Sequence, residues 1–183
     1  MTMRFRETPI PSAWLVTQEP LEDERGHFAR TFCATEFASH GLTATVAQSS
    51  VSYNRRARTL RGMHYQAQPY PEAKLVTCLR GALFDVIVDL RRGSPTFQRW
   101  FGVELREGDQ TSLFAPEGTA HGFLTLVDDT LVHYQISEAF RPELSRGVRF
   151  DDPAFGIQWP LGGDYIVSSR DHGYSAFDPE SIP

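Results

Sequence analysis

The sequence predicts an all-β fold, a barrel or sandwich of short strands, and three observations carry that reading. From about residue 42 to 137 short apolar runs alternate with turn residues. Long stretches of helical periodicity are absent. The runs recur at a spacing that suits closed or two-layered β architectures. With 183 residues the chain is long enough for one domain that buries roughly 70% of its unfolded surface and too short for two of full size. One unit over 1–183 is therefore expected, with an N-terminal arm over about 1–25, a barrel over about 42–137 and a packing segment over about 138–183.

Taken in order, the predicted strands span 14–17, 28–32, 45–53, 59–65, 74–79, 83–89, 98–105, 111–115, 122–126 and 130–136. Gly81, the run Arg92-Gly93-Ser94-Pro95 and the run Glu107-Gly108-Asp109 each separate two of them as hairpin turns would. A short helix is predicted over 35–39, with Thr35 as cap, Glu36 at its positive end and Gly41 as its stop. After Ser137 the alternation gives way to a tail rich in Pro, Asp and Gly, in which Phe155, Ile157, Trp159 and Ile166 are apolar enough to return to the sheet.

The run 83–90 places Phe84, Val86, Val88 and Leu90 on one face and Leu83, Asp85, Ile87 and Asp89 on the other. Alternation alone favours putting the two carboxylates outside in water. A barrel whose inward face meets a polar ligand would produce the same pattern.

Composition excludes several classes of function. The chain is 40% hydrophobic and 22% charged, as in ordinary globular proteins, and no apolar run approaches the length of a membrane span. The N-terminus lacks the apolar core of a signal peptide, so a cytoplasmic location is expected. Cys33 and Cys78 are too few and too far apart for a disulfide framework or a zinc site. A net charge of -5 argues against a nucleic-acid partner. Arg55, Arg56, Arg58 and Arg61 form a local basic cluster, either a solvated loop or a clamp for a diphosphate.

Pro116-Glu117-Gly118-Thr119-Ala120-His121 contains P-x-G-x-x-H, which resembles half of the metal motif of cupin barrels. The other half needs an H-x-H pair, and the corresponding stretch Arg61 to Gln68 holds His64 alone. Two histidines do not make a three- or four-ligand site, so a cupin-like barrel without a metal is expected. Arg61, His64, Gln66, Lys74, His121, His133 and Tyr134 fall on neighbouring strands, and so many polar groups inside a small barrel imply a polar ligand.

The strings Leu60-Arg61-Gly62-Met63-His64-Tyr65-Gln66, Lys74-Leu75-Val76, Asp85 to Arg91, Ser94-Pro95-Thr96-Phe97, Gly118 to Phe123 and Arg170-Asp171 together resemble the dTDP-4-dehydrorhamnose 3,5-epimerase family. The likeness runs in order from about Arg25 to Asp171. It implies a cupin-like (double-stranded β-helix, jelly-roll) barrel with short peripheral helices, no cofactor and no metal. It also implies a homodimer with exchanged N-terminal arms that epimerises carbon 3, carbon 5 or both of a nucleotide-linked 4-keto-6-deoxyhexose.

By the same resemblance His64 is the base, Asp171 the carboxylate that orients it, Tyr134 the opposite-face proton donor, and Lys74 the cation beside the sugar ketone. Arg61 would hold the diphosphate, Gln48 and His121 the substrate, and Arg25 the nucleotide; Ser50, Phe140 and Arg170 complete the binding set. The chain departs from the family at Arg30 and Ser145, where glutamate is usual, at Ser50, where asparagine is usual, and at Phe140, where tyrosine is usual. Phenylalanine still stacks on a base. Alternatives are a mono-epimerase of a different nucleotide keto-sugar and a non-catalytic sugar-binding cupin. Because Arg61 and His64 are three apart, both can reach one site only if Gly62 marks a bulge.

Overall fold

The apolar runs form strands in the computed structural model, which describes residues 2–181. The first are β1 (Met3–Glu7) and β2 (Trp14–Gln18), followed by a small hairpin, β3 (Leu21–Asp23) and β4 (Gly26–Phe28), and the helix α1 (Ala34–Ser39). The body continues with β5 (Gln48–Asn54), β6 (Thr59–Gln66), β7 (Lys74–Arg80) and β8 (Ala82–Asp89). It is completed by β9 (Trp100–Arg106), β10 (Thr111–Ala115), β11 (Thr119–Thr125) and β12 (Thr130–Ile136). The C-terminal segment adds β13 (Ser145–Gly147), β14 (Ile166–Val167) and the one-turn helix α2 (Ser169–His172).

Two sheets face each other. One has the order β1-β2-β10-β7-β12-β5, and the other β13-β6-β11-β8-β9 with β14 running parallel beside β6. The chain passes from the first sheet to the second between β7 and β8 and back again between β9 and β10. This is the jelly-roll arrangement expected of a cupin-like barrel. It also corrects two predicted hairpins, since Gly81 and the Glu107-Gly108-Asp109 turn are corners between sheets. Only Arg92 to Pro95 joins hydrogen-bonded neighbours, β8 and β9. A glycine turn signals a change of direction, and nothing local says whether the next run stays in the same sheet.

Other expectations shift for identifiable reasons. Residues 3–18 are not an arm but two strands of the first sheet, with Met3 opposite Gln18; the projecting element is the β3–β4 hairpin. The strand predicted over 28–32 ends at Phe28. The helix begins at Ala34 with Cys33 as N-cap and no side-chain cap from Thr35, while Glu36 does sit in its first turn and accepts a hydrogen bond from the Met3 amide at 2.9 Å.

Between the sheets lies an apolar cluster that includes Leu15, Val76, Leu83, Ile87, Leu105, Leu113, Phe123 and Val132. Burial of side chains of this kind stabilises by about 1.5–3 kcal/mol each. The opposite face of β8, with Val86, Val88 and Leu90, is covered by Val148, Phe150 and Phe155 of the C-terminal segment, and Ile157 and Trp159 pack against them. Ile166 remains 48% exposed, so Val167 and not Ile166 contributes to that layer. Strand β8 is thus buried on both sides, and Asp85 and Asp89 are fully buried rather than turned to water. Asp89 is met by Arg91 at 2.8 Å, Ser94 and Thr96. Burial pushes its carboxyl up, but these donors outweigh it and hold it below the usual range.

The bulge required at Gly62 is present. Strand β6 pairs with β11 so that His64 faces His121 while Arg61 faces Phe123, three steps on one strand against two on the other. Gly62 has φ +142°, and a Cβ there would lie 2.6 Å from Cα of Gly122. Only glycine fits this crossing.

Candidate active site

The end of the barrel not filled by apolar side chains opens into a cavity of about 350 Å³. Strand β6 contributes Arg61 and His64, and β11 contributes His121 and Phe123. From the facing sheet come Ser52 of β5, Lys74 of β7 and Tyr134 of β12, while Arg170 and Asp171 enter from α2. Seven of the predicted residues, Arg61, His64, Lys74, His121, Tyr134, Arg170 and Asp171, therefore meet in one place.

The His64 Nε2 lies 2.7 Å from Asp171 Oδ1. The other carboxylate oxygen accepts the Gly62 amide at 3.2 Å, and the Ser168 hydroxyl caps α2 by accepting the Asp171 amide at 3.1 Å. Burial pushes the Asp171 carboxyl up, yet its bonds to His64, Gly62 and Ser168 prevail and hold it below the usual carboxylate range. An ionised carboxylate can only accept, so Nε2 donates to it, and in the neutral ring the lone pair falls on Nδ1. His64 is half-buried, its side chain 35% exposed.

A second histidine–carboxylate pair lies deeper, where His121 Nε2 is 2.6 Å from Asp85 Oδ1. Both are buried, and Asp85 Oδ2 has no hydrogen-bond partner among the described residues. The Tyr134 ring meets His121 edge to face at 5.9 Å. Burial raises the Tyr134 phenol well above its ordinary value, the Asp85 carboxylate adds to this, and Arg61 opposes it. The phenol is therefore held in its protonated form.

Arg61 is fixed by Asn54, whose Oδ1 accepts its Nε at 2.8 Å. The Lys74 ammonium contacts Glu72 Oε1 at 2.8 Å and the His64 carbonyl at 3.4 Å. A continuing recess of about 240 Å³ shares His64, Lys74, Tyr134 and Arg170 and adds Ser50, Phe140 and Ser145. At its rim Gln48 Oε1 accepts the Phe140 amide at 2.8 Å, and Arg170 donates to the Ser145 hydroxyl at 2.8 Å. Phe140 is 55% exposed. On the far side of Arg61 a third recess is lined by Arg55 and Arg56, whereas Arg58 donates to the Gly162 carbonyl at 2.6 Å.

Two predicted positions fall elsewhere. Arg25 sits in the turn between β3 and β4, exposed and paired with Asp23, and lines none of these recesses. His133 points out of the barrel and contacts Ser49 at 2.9 Å, because strand alternation sends it opposite to Tyr134. Arg30, whose charge departs from the family pattern, contacts Glu36 at 3.1 Å. Asn54, Glu72 and Ser168 were not singled out in the sequence. The last was legible as a capping pattern, Ser168-x-x-Asp171. Among the described residues no group of three or more His, Cys, Asp or Glu side chains is arranged to hold a metal. No helix among them is long and apolar enough to cross a membrane.

A sequence model described as dTDP-4-dehydrorhamnose 3,5-epimerase matches residues 7–178. The chain belongs to the dTDP-4-dehydrorhamnose 3,5-epimerase family. It is accordingly an isomerase, an epimerase acting on sugar nucleotides. A family member from Methanothermobacter thermautotrophicus, named dTDP-4-dehydrorhamnose 3,5-epimerase, is 41% identical over 93% of this chain and 92% of its own. The Legionella pneumophila dTDP-6-deoxy-D-glucose-3,5-epimerase, solved in complex with dTDP-4-keto-L-rhamnose, is 34% identical with a TM-score of 0.92, covering 100% of this chain and 98% of that one. A 3'-monoepimerase from Streptomyces bikiniensis, solved with dTDP-quinovose, is also 34% identical, with a TM-score of 0.85 over 92% of this chain and 85% of its own. The family fold therefore hosts both double and single epimerases.

Proposed function

We propose that the chain inverts carbon 3, carbon 5 or both of a dTDP-linked 4-keto-6-deoxyhexose, with His64 as base and Tyr134 as acid. The observation that carries this reading is His64 on one sheet, oriented by Asp171 of α2, with a protonated Tyr134 on the sheet facing it. His64 Nδ1 takes the hydrogen from the carbon beside the ketone, and the bonding pair moves into the carbonyl to give an enolate at oxygen 4. Lys74 offsets that developing charge, where a preorganised cation counts most. The Tyr134 phenol then delivers its proton to the other face of the same carbon. Arg61 and Arg170 suit the diphosphate, His121 and Gln48 the substrate, and Phe140 beside Ser50 a stacked base. With serine at 50 and 145, the binding wall offers fewer acceptors than the family pattern, which favours testing several dTDP-sugars. In deuterium oxide, wild-type protein is expected to place deuterium on carbon 3 or 5 of one member of a panel of 4-keto-6-deoxy sugar nucleotides, followed by NMR. Absence of exchange from the whole panel refutes the reading.

The same proposal includes a homodimer in which the β3–β4 hairpin crosses to the neighbouring pocket. Leu21 and Phe28 are 59% and 67% exposed on that hairpin, and Val51 and Tyr53 are exposed on the edge strand β5. Pairing or covering such an edge is the common remedy. Light scattering should give twice the chain mass, and mixing Arg25→Ala with His64→Ala protein should restore activity that neither has alone. A fully active monomer would contradict it.

A further inference from the structure

We infer that Glu72 is a positioning residue for Lys74, holding its ammonium at the cavity where it can meet the ketone oxygen; this rests on the epimerase reading above. Lys74 is the single lysine of the chain, all other members of the 18 Lys and Arg residues being arginine. An ammonium has three donors on a flexible stem, whereas a guanidinium spreads five over a rigid plane. Here the ammonium forms an ion pair with Glu72 Oε1 at 2.8 Å and donates a long hydrogen bond to the His64 carbonyl at 3.4 Å. Both contacts hold the side chain at the cavity that Lys74 shares with His64 and Tyr134.

The pair is well shielded. Both side chains are 11% exposed, and Glu72 itself lines the recess of about 240 Å³. A charge so placed is costly unless it is paired, and Glu72 is the carboxylate that contacts this ammonium. Glu72 precedes β7 by a single residue, Ala73, whose amide donates to the Ser137 hydroxyl at 2.8 Å and whose carbonyl accepts the Ser137 amide at 3.0 Å. The carboxylate is thus carried on anchored backbone, at a fixed distance from the strand that carries Lys74. A carboxylate beside the ammonium also weakens its pull on an enolate, so the benefit of Glu72 lies in holding the donor in place.

The single lysine makes the test direct. Glu72→Gln and Glu72→Asp are prepared in full-length protein and compared by circular dichroism and thermal melting. Lys74 is then acetylated with an N-hydroxysuccinimide ester, and the extent at Lys74 is read by peptide mass spectrometry apart from the N-terminal amine. Loss of the charged contact is expected to raise acetylation of Glu72→Gln about tenfold in folded protein, with Glu72→Asp between it and wild type. On the substrate that exchanges, kcat of Glu72→Gln should fall about tenfold while KM stays within about twofold. Equal acetylation of wild type and Glu72→Gln overturns the inference, as does a KM-only effect or a faster Glu72→Gln enzyme. If wild type exchanges no deuterium into any substrate, the epimerase reading fails, and the acetylation contrast alone decides whether Glu72 restrains Lys74.

Discussion

The two histidine–carboxylate pairs, His64–Asp171 and His121–Asp85, have nearly equal contact lengths, 2.7 and 2.6 Å, yet occupy different physical settings. His121 and Asp85 are cross-strand neighbours in one sheet, while His64 takes its carboxylate from a helix 107 positions later. In the outer pair the imidazole reaches solvent and both carboxylate oxygens are bonded. The inner pair is buried, with His121 at the cavity floor and one Asp85 oxygen unpartnered among the described residues. A histidine that must gain and lose a proton in each cycle needs room for ligand and a satisfied counter-charge, and only the outer pair offers both. The inner pair suits a fixed dipole at the floor of the pocket.

Substitutions sharpen this contrast. The largest effect is expected for His64→Ala, which should reduce hydrogen exchange at both carbons by about 10³-fold or more, measured by deuterium uptake. Tyr134→Phe comes next. It should lower formation of the inverted product by about 10²-fold while exchange of the substrate hydrogen persists, because the base is intact and the opposite-face donor is gone. Wild-type inversion by this variant would remove Tyr134 as donor. The third test sets the two carboxylates against each other. Asp171→Asn should slow exchange about 10²-fold with little change in substrate binding. Asp85→Asn should instead cost about 1–3 kcal/mol in denaturant unfolding, since its new amide has no acceptor ready, and should slow exchange much less. Equal kinetic losses would erase the distinction drawn between the pairs.

The smallest effect concerns acid. Asp89 and Asp171 both have carboxyls held below the usual range in the folded state, so unfolded chains take up those protons first. Their contribution to stability is complete above the ordinary carboxylate range and disappears as pH falls through the depressed values. Thermal melting from neutral to acidic pH should show this decline, and Asp89→Asn should flatten part of it.

Much of the barrel was legible because its strands carry their own signal. The runs at 74–79, 83–89, 111–115 and 130–136 match observed strands within a residue or two, since each alternates or is apolar throughout. Sheet membership was not legible. Gly81 and Gly108 look alike in sequence to the turn at Gly93, and only the packing of two layers assigns them to corners. Strand β1 was overlooked although Met3 and Phe5 alternate with charges, because five residues give a weak pattern. For the site, strand alternation could not say which face of β8 was inside, as the C-terminal segment buries the other face as well. Arg61 and His64 share a pocket only through Gly62, a break in alternation that the glycine itself announced. Asp171 came from family likeness, since nothing local joins it to His64. Glu72 escaped notice because it lies just outside β7 in a polar turn, although the solitary lysine two positions on was a visible clue.

The layer formed by residues 148–177 has a consequence for how the protein comes into being. During synthesis the strands through β12 are made before α2, which carries the carboxylate that contacts His64. Until Asp171 is made His64 lacks that partner, whereas Lys74, His121 and Tyr134 all precede it in the chain. On the proposed mechanism, a chain cut before α2 would lack the carboxylate that orients the base. On that reading the site is complete only once α2 has been made.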